Sequence, residues 1–364
     1  MENCHQTLAD LDLRKAQTST IDLEKDNLVA FVTRSSDLRH FIMGGFDRKL
    51  TILDQETGAT KSIQLKYYAY CCHTQASLLY VGGMNFIQLF DMSSDDYTLL
   101  KTINAGKLIY RMIPIDEEYI LCGGSYIVDM VRLKDYRMVG DMCKVETSVY
   151  DIALVQTLGD KVDFALATWE GVQFIRVDKS DKSLYKIEIL PLKVREKESI
   201  NNVARVKENM IAFADGSCLI LYDRIQGAEI LTFWNDSQIR SLKGIPEDLT
   251  DLGNLSIQEK SLIAHQQRGN VSKVQKDITS KIVIVKGEKG IAVIQMDLNA
   301  KEVFKQNLML NDECNNVFAD CLSVEKRLEK GRQRIEVLAT GNYELEDNVY
   351  ERRIRTISIP IINW

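Results

Sequence analysis

Proline is scarce in this chain, at 4 of 364 residues, and tryptophan and histidine are nearly as rare, at 3 and 4. With only 20 glycines beside so few prolines, collagen-like and low-complexity chains are excluded. Long apolar runs are missing too. The longest, residues 78–90 and 210–222, are interrupted by Gly, Asn or Asp and are too short to cross a bilayer as helices. No basic cluster exceeds Arg352-Arg353, and 46 Lys and Arg stand against 52 Asp and Glu for a net charge of −6. Nucleic acid is therefore not an expected partner, since its binders gain affinity from a concentrated basic face. The first 15 residues hold Glu2, Asp10 and Asp12 and no apolar core. The expectation is a chain without a signal peptide and a cytoplasmic location. None of the eight cysteines forms a CxxC pair, which predicts reduced, mostly buried thiols. The sequons at Asn235, Asn254 and Asn270 then read as chance matches.

What the chain does have is 45% apolar residues, ample for a large core, and a repeat. Phe41-Ile42-Met43-Gly44-Gly45-Phe46-Asp47 leads through a tight turn into Leu50-Thr51-Ile52-Leu53-Asp54. The same pattern returns as Leu79-Tyr80-Val81-Gly82-Gly83-Met84-Asn85 running to Phe90-Asp91, and as Tyr119-Ile120-Leu121-Cys122-Gly123-Gly124 running to Val131. Further copies lead to Asp178, to Asp223 and to Asp297, and a seventh starts at Ile335 and ends near Ile359. Seven units of about 45 residues fit the length with a polar excess at residues 248–281, as expected of a periodic repeat architecture. The strands alternate with a period of two, and no long helical pattern intervenes.

Short four-stranded units cannot bury both faces alone, but radial packing buries them against one another, as in a β-propeller. That arrangement places Leu50, Ile52, Ile87, Leu89, Phe174, Ile175, Leu219, Leu221 and Val293 between units. The glycine pairs Gly44-Gly45 and Gly82-Gly83 let neighbouring backbones approach. Asp47 and Asn85 supply the turn chemistry, by left-handed geometry or by bonding their own backbone. The segment from Gly44 to Asp54 resembles the WD40 repeat, with Leu53, Phe90, Val177, Tyr222 and Met296 where that family has tryptophan and without its Gly-His dipeptide. The resemblance implies an all-β, seven-bladed WD40-like β-propeller spanning residues 1–364 as one domain, with residues 248–281 as a polar insertion in the sixth blade. The last unit offers strands at 317–324, 334–340 and 349–359, so the expectation is that the N-terminal segment, placed at 7–13, supplies the fourth and closes the ring.

Candidate chemistry is thin. Cys71-Cys72-His73 invites a metal or Cys–His reading, but successive strand residues face opposite ways. The recurring aspartates and the Gly287–Gly290 and Gly58–Ser62 turns read as turn residues, not as acid–base pairs or phosphate loops. No catalytic residue, metal or cofactor is expected. For binding, the resemblance brings the residue after the first apolar position of each inner strand near one opening of the channel. These residues are Tyr110, Tyr150, Arg240 and Phe318, of types that anchor protein interfaces. The expected function is a non-catalytic protein–protein scaffold within a larger intracellular assembly. A phosphoinositide-binding propeller at a membrane surface is the alternative, and a channel enzyme a more distant one.

Overall fold

The computed structural model describes residues 16–23, 29–35, 39–94, 96–140, 143–181, 183–235, 238–244, 280–287, 290–297, 302–310, 322–329, 332–346 and 349–360. Every helix or strand among these residues is a strand, and every pairing is antiparallel. Strand β1 (Gln17–Leu23) belongs to the last sheet. The first sheet runs in chain order through β2 (Val29–Arg34), β3 (His40–Gly45), β4 (Lys49–Asp54) and β5 (Thr60–Gln64). A seven-stranded sheet follows, built from β6 (Ala69–Gln75), β7 (Leu78–Asp91), β8 (Thr98–Pro114), β9 (Tyr119–Gly124), β10 (Ile127–Arg132) and the short edge pieces β11 (Arg137–Met138) and β12 (Cys143–Lys144). Strand β8 joins two units there, pairing with β7 through its first half and with β9 from Ile109 onward.

Three four-stranded sheets come next. They are β13 (Val149–Leu158), β14 (Lys161–Thr168), β15 (Gly171–Asp178) and β16 (Lys186–Val194); β17 (Asn202–Lys207), β18 (Met210–Asp215), β19 (Cys218–Asp223) and β20 (Ala228–Trp234); and β21 (Ile239–Gly244), β22 (Ser280–Gly287), β23 (Gly290–Asp297) and β24 (Glu302–Leu310). The last sheet holds β25 (Leu322–Glu329), β26 (Arg332–Glu346) and β27 (Val349–Pro360), with β1 along its outer edge from Gln17↔Ser358 to Leu23↔Arg352.

The partner of β27 is thus Gln17–Leu23 and not residues 7–13, which lie outside the described residues. An outer strand is held by backbone hydrogen bonds and needs little apolar character, so Gln-Thr-Ser-Thr-Ile-Asp-Leu serves although its alternation is weak. Of the polar stretch at 248–281, residues up to 279 lie outside the described residues. Ser280 and Lys281 are already in β22, opposite Asp297 and Met296. Of the strand expected at 317–324, residues 317–321 lie outside the described residues, and β25 is described from Leu322.

The core lies between sheets. Phe31, Leu50 and Ile52 pack on Leu79, Val81 and Phe90 of the next sheet. Phe174 meets Phe213 and Ile220, and Leu219 and Leu221 meet Val283 and Ile294. Each large apolar side chain buried this way is worth about 1.5–3 kcal/mol. Another cluster joins Val29, Phe41 and Leu53 of the first sheet to Leu338 and Ile354 of the last. The inner strands touch in series, β2 to β6, β6 to β8, β8 to β13, β13 to β17, β17 to β21, β21 to β25, and β25 to β2.

The glycine pairs sit where strands press hardest on a neighbour. A Cβ on Gly83 would overlap the Tyr68 carbonyl oxygen, and one on Gly124 would overlap that of Leu108. Both obstacles are backbone and cannot swing aside. Gly124→Ala is accordingly expected to cost about 1–3 kcal/mol, the range of overpacking. Gly58→Ala, at φ 71 but with open space around it, is expected to cost less, because only backbone strain opposes it. Urea unfolding of both variants checks the order; equal costs would remove the steric argument.

Candidate functional site

Five strands share a local irregularity, near the first residue of β2, β6, β13 and β21 and, in β8, where pairing passes to β9. The register against the second strand shifts between Val29 and Phe31, Ala69 and Cys71, Ile109 and Arg111, Val149 and Asp151, and Ile239 and Ser241. One residue in each is extruded from the ladder, a β-bulge of the kind that re-aims a side chain. The extruded residues are Ala30, Tyr70, Tyr110, Tyr150 and Arg240.

The bulges bring tyrosines from consecutive units together. Tyr70 and Tyr110 have ring centroids 5.4 Å apart, and Tyr110 and Tyr150 5.6 Å. Trp169, in the turn between β14 and β15, continues the series 6.2 Å from Tyr150. At the other end Phe46 lies 5.6 Å from Tyr70 and 5.7 Å from Tyr68. Six aromatic rings therefore form one ladder at the end of the sheets where the inner strands begin. Its middle is half-buried and its Trp169 end is 61% exposed, whereas Tyr70 is only 9% exposed and acts as the ladder's root. Beside it, Tyr67 packs on Phe86 at 5.8 Å, and Met84, Tyr126 and Tyr67 are exposed. The turns that carry them use left-handed backbone at Arg48 (φ 60), Asn85 (φ 66) and Tyr126 (φ 59). Asp47 accepts a hydrogen bond from the Lys49 amide at 3.0 Å.

Charge is distributed unevenly along the ladder. The Arg48 guanidinium lies 5.1 Å from the Tyr68 ring centroid and the Lys66 ammonium 5.1 Å from that of Tyr67. At the Trp169 end stand Glu170 and Glu146, the latter 2.9 Å from Lys193. Desolvation, helped by the neighbouring Tyr110, pushes the Tyr150 hydroxyl up to about 12, and burial raises that of Tyr70. These hydroxyls stay protonated, and so remain hydrogen-bond donors, at any physiological pH.

Of the sequence-predicted residues, Tyr110 and Tyr150 come together. Arg240 takes the corresponding bulge of β21, half-buried, and Phe318 lies outside the described residues. Tyr70, Phe46, Tyr68 and Trp169 were missed. Tyr70 had a visible signal, since Ala69-Tyr70-Cys71 precedes Ile109-Tyr110-Arg111 by one unit.

Other candidates have local explanations. Asp54 accepts the Glu56 and Thr57 amides at 2.9 and 2.8 Å, Asp91 that of Ser93, Asp178 that of Ser180, and Asp223 those of Ile225 and Gln226. The Thr57 amide holds the Asp54 carboxyl at about 2. Cys71 packs with Tyr80 and Met112, whereas Cys72 packs beside Ala69 and Leu79 on another cluster. Burial pushes Cys72 up to about 12 despite Arg111 and Lys243 nearby. Among the described residues no three His, Cys, Asp or Glu side chains are grouped to hold a metal. No helix among them is long and apolar enough to cross a membrane. A cleft of about 730 Å³ is lined by Glu117, Glu118, Tyr119, Arg132, Asp135 and Ser183, and its Arg132 and Asp135 pair with each other at 2.7 Å.

No family model and no curated protein sequence matches the chain. Solved structures do. The crystal structure of the RRP9 WD40 repeats covers 96% of this chain and 100% of its own, with a TM-score of 0.60 at 10% identity. The structure of U3-55K covers 94% and 98% with a TM-score of 0.60 at 9% identity. BBS1N, crystallised in complex with ARL6DN, covers 95% and 98% with a TM-score of 0.58 at 12% identity. Sheets packed face to face in series, glycine pairs ending the second strands and this likeness across nearly the whole length make the fold a WD40-like β-propeller.

Proposed function

We propose that the protein is a non-catalytic interaction scaffold of the cytoplasm, a single seven-bladed propeller closed by β1, that docks other proteins on its aromatic ladder. The serial contacts of the inner strands, the apolar cluster joining first and last sheets and the β1–β27 pairing support the closed ring. In this reading residues 248–279 form an insertion of the sixth blade. The ladder carries the functional reading. Aromatic rings rooted in bulged strands offer a large contact area with little left to order on binding. Tyr110, Tyr150 and Trp169 are its anchors, and Arg240 extends the same rim. The proteins of known structure that share the fold include one solved with a bound partner, BBS1N with ARL6DN.

The test is quantitative affinity purification from the native cell with Tyr110→Ala/Trp169→Ala beside the unaltered protein. Each true anchor is expected to contribute about 1–3 kcal/mol, so the specific partners should be lost while the melting temperature changes little. Full retention of every partner would move the interaction elsewhere on the molecule.

A further inference from the structure

We infer that the ladder receives a proline-rich segment of a partner protein in the polyproline II conformation, with acidic residues at the end that meets Arg48 and Lys66 and basic residues at the end that meets Glu146 and Glu170. This rests on the scaffold reading and gives its partner a chemistry.

The ladder's shape argues for an extended ligand. It is a single file of rings that crosses from the first sheet to the β13–β16 sheet. Neighbouring rings are tilted by 30–69° and not stacked flat. Successive centroids stand 5.4 to 6.2 Å apart. A polyproline II helix rises about 3.1 Å per residue, so two residues advance by about one rung. Such a helix has no internal hydrogen bonds and leaves its carbonyls free. The tyrosine hydroxyls of Tyr110 and Tyr150 and the exposed indole N–H of Trp169 are donors of the type those carbonyls accept. Because the ligand is already ordered, little entropy is lost when it docks.

The charges argue for polarity. Arg48 and Lys66 already lie against Tyr68 and Tyr67, so a carboxylate arriving there meets two cations. At the other end Glu146, Glu170 and Glu196 all act on Lys193. A stacked single-stranded nucleic acid would want cations along its whole track, and the Trp169 end presents carboxylates instead.

The experiment titrates the full-length chain with an octaproline peptide carrying a glutamate pair at one end and an arginine pair at the other. Tryptophan emission is followed in a Trp234→Phe/Trp364→Phe background, so that Trp169 reports. The controls are a glycine–serine peptide with the same charged ends and oligothymidylate. Saturable binding of the proline peptide is expected, weakened about fivefold or more by Tyr110→Ala and likewise by the charge reversal Arg48→Glu, whose exposed side chain keeps the fold out of question. Equal binding of the glycine–serine peptide, preference for oligothymidylate, or indifference to both substitutions would overturn the inference. If the proline peptide fails while the ladder variants still lose their native partners, the inference falls and the scaffold reading stands. If the variants keep those partners, the scaffold reading falls with it.

Discussion

Asp163→Ala is expected to lower the unfolding free energy by about 3–5 kcal/mol, the cost of removing one member of a buried ionic network. Asp163 is 1% exposed in β14, and every oxygen it has is engaged. Arg176 donates to it twice, through Nε at 2.7 Å and through a terminal nitrogen at 2.9 Å, and Gln156 donates through Nε2 at 2.7 Å. A terminal nitrogen of Arg224, from the neighbouring sheet, stands 2.7 Å away. Burial alone would raise this carboxyl, but hydrogen bonds from Arg176 and Gln156 and the charge of Arg224 outweigh it and hold the group below the ordinary range. Truncation leaves two largely covered guanidinium groups facing a void, which is where the penalty arises. Lys61→Ala provides the contrast: its partner Asp96 is 87% exposed, and such pairs contribute about 0–1 kcal/mol. Urea titration of the three proteins at neutral pH gives the comparison. Similar midpoints for Asp163→Ala and Lys61→Ala would show the network to be of no consequence.

That network marks the boundary of what the sequence reveals. Period-two alternation, glycine pairs and closing aspartates are local signals, because turn chemistry and strand faces depend on residues a few positions apart. They were enough to place Leu50, Ile52, Ile87, Leu89, Phe174, Ile175, Leu219, Leu221 and Val293, all buried between sheets. Asp163 meets Arg224 across 60 intervening positions, a contact that follows from the packing of whole sheets and has no local trace. The ladder lies in between. Tyr110 and Tyr150 could be read from their equivalent places in the repeat. Trp169 and Phe46 reach the same surface from hairpin turns of other strands, and only packed units bring turn and inner strand together. Tyr70 stands in the same place as Tyr110 one unit earlier, in Ala69-Tyr70-Cys71, and is legible on the same grounds. The edge strand β1 was misplaced because outer strands carry little apolar pattern to find.

His73 ties that cysteine-flanked strand to an acid-sensitive stability. Its ring stacks on Tyr80 at 6.3 Å between centroids, and its Nε2 is buried without a hydrogen-bond partner. Burial, with the like charge of Arg111 added, depresses its pKa from 6.5 to about 4. Folding therefore favours the neutral imidazole. Above pH 6.5 the folded and unfolded chains both leave it neutral, and the group adds no pH dependence. Between pH 6.5 and 4 the unfolded chain binds the proton and the folded chain does not, so stability falls on acidification. A depression of this size corresponds to about 3 kcal/mol once pH passes below the folded value. The closing carboxylates act lower, since Asp54, held at about 2, loses its contribution only as pH falls from its ordinary 3.8 toward that value. The two windows are thus separable. His73→Gln removes the titrating group, and its urea midpoint should change much less between pH 6.5 and 4 than that of the unaltered protein, with the acid loss below pH 4 retained. Parallel profiles for the two proteins across the upper window would mean that His73 stays solvated and that the depression does not exist.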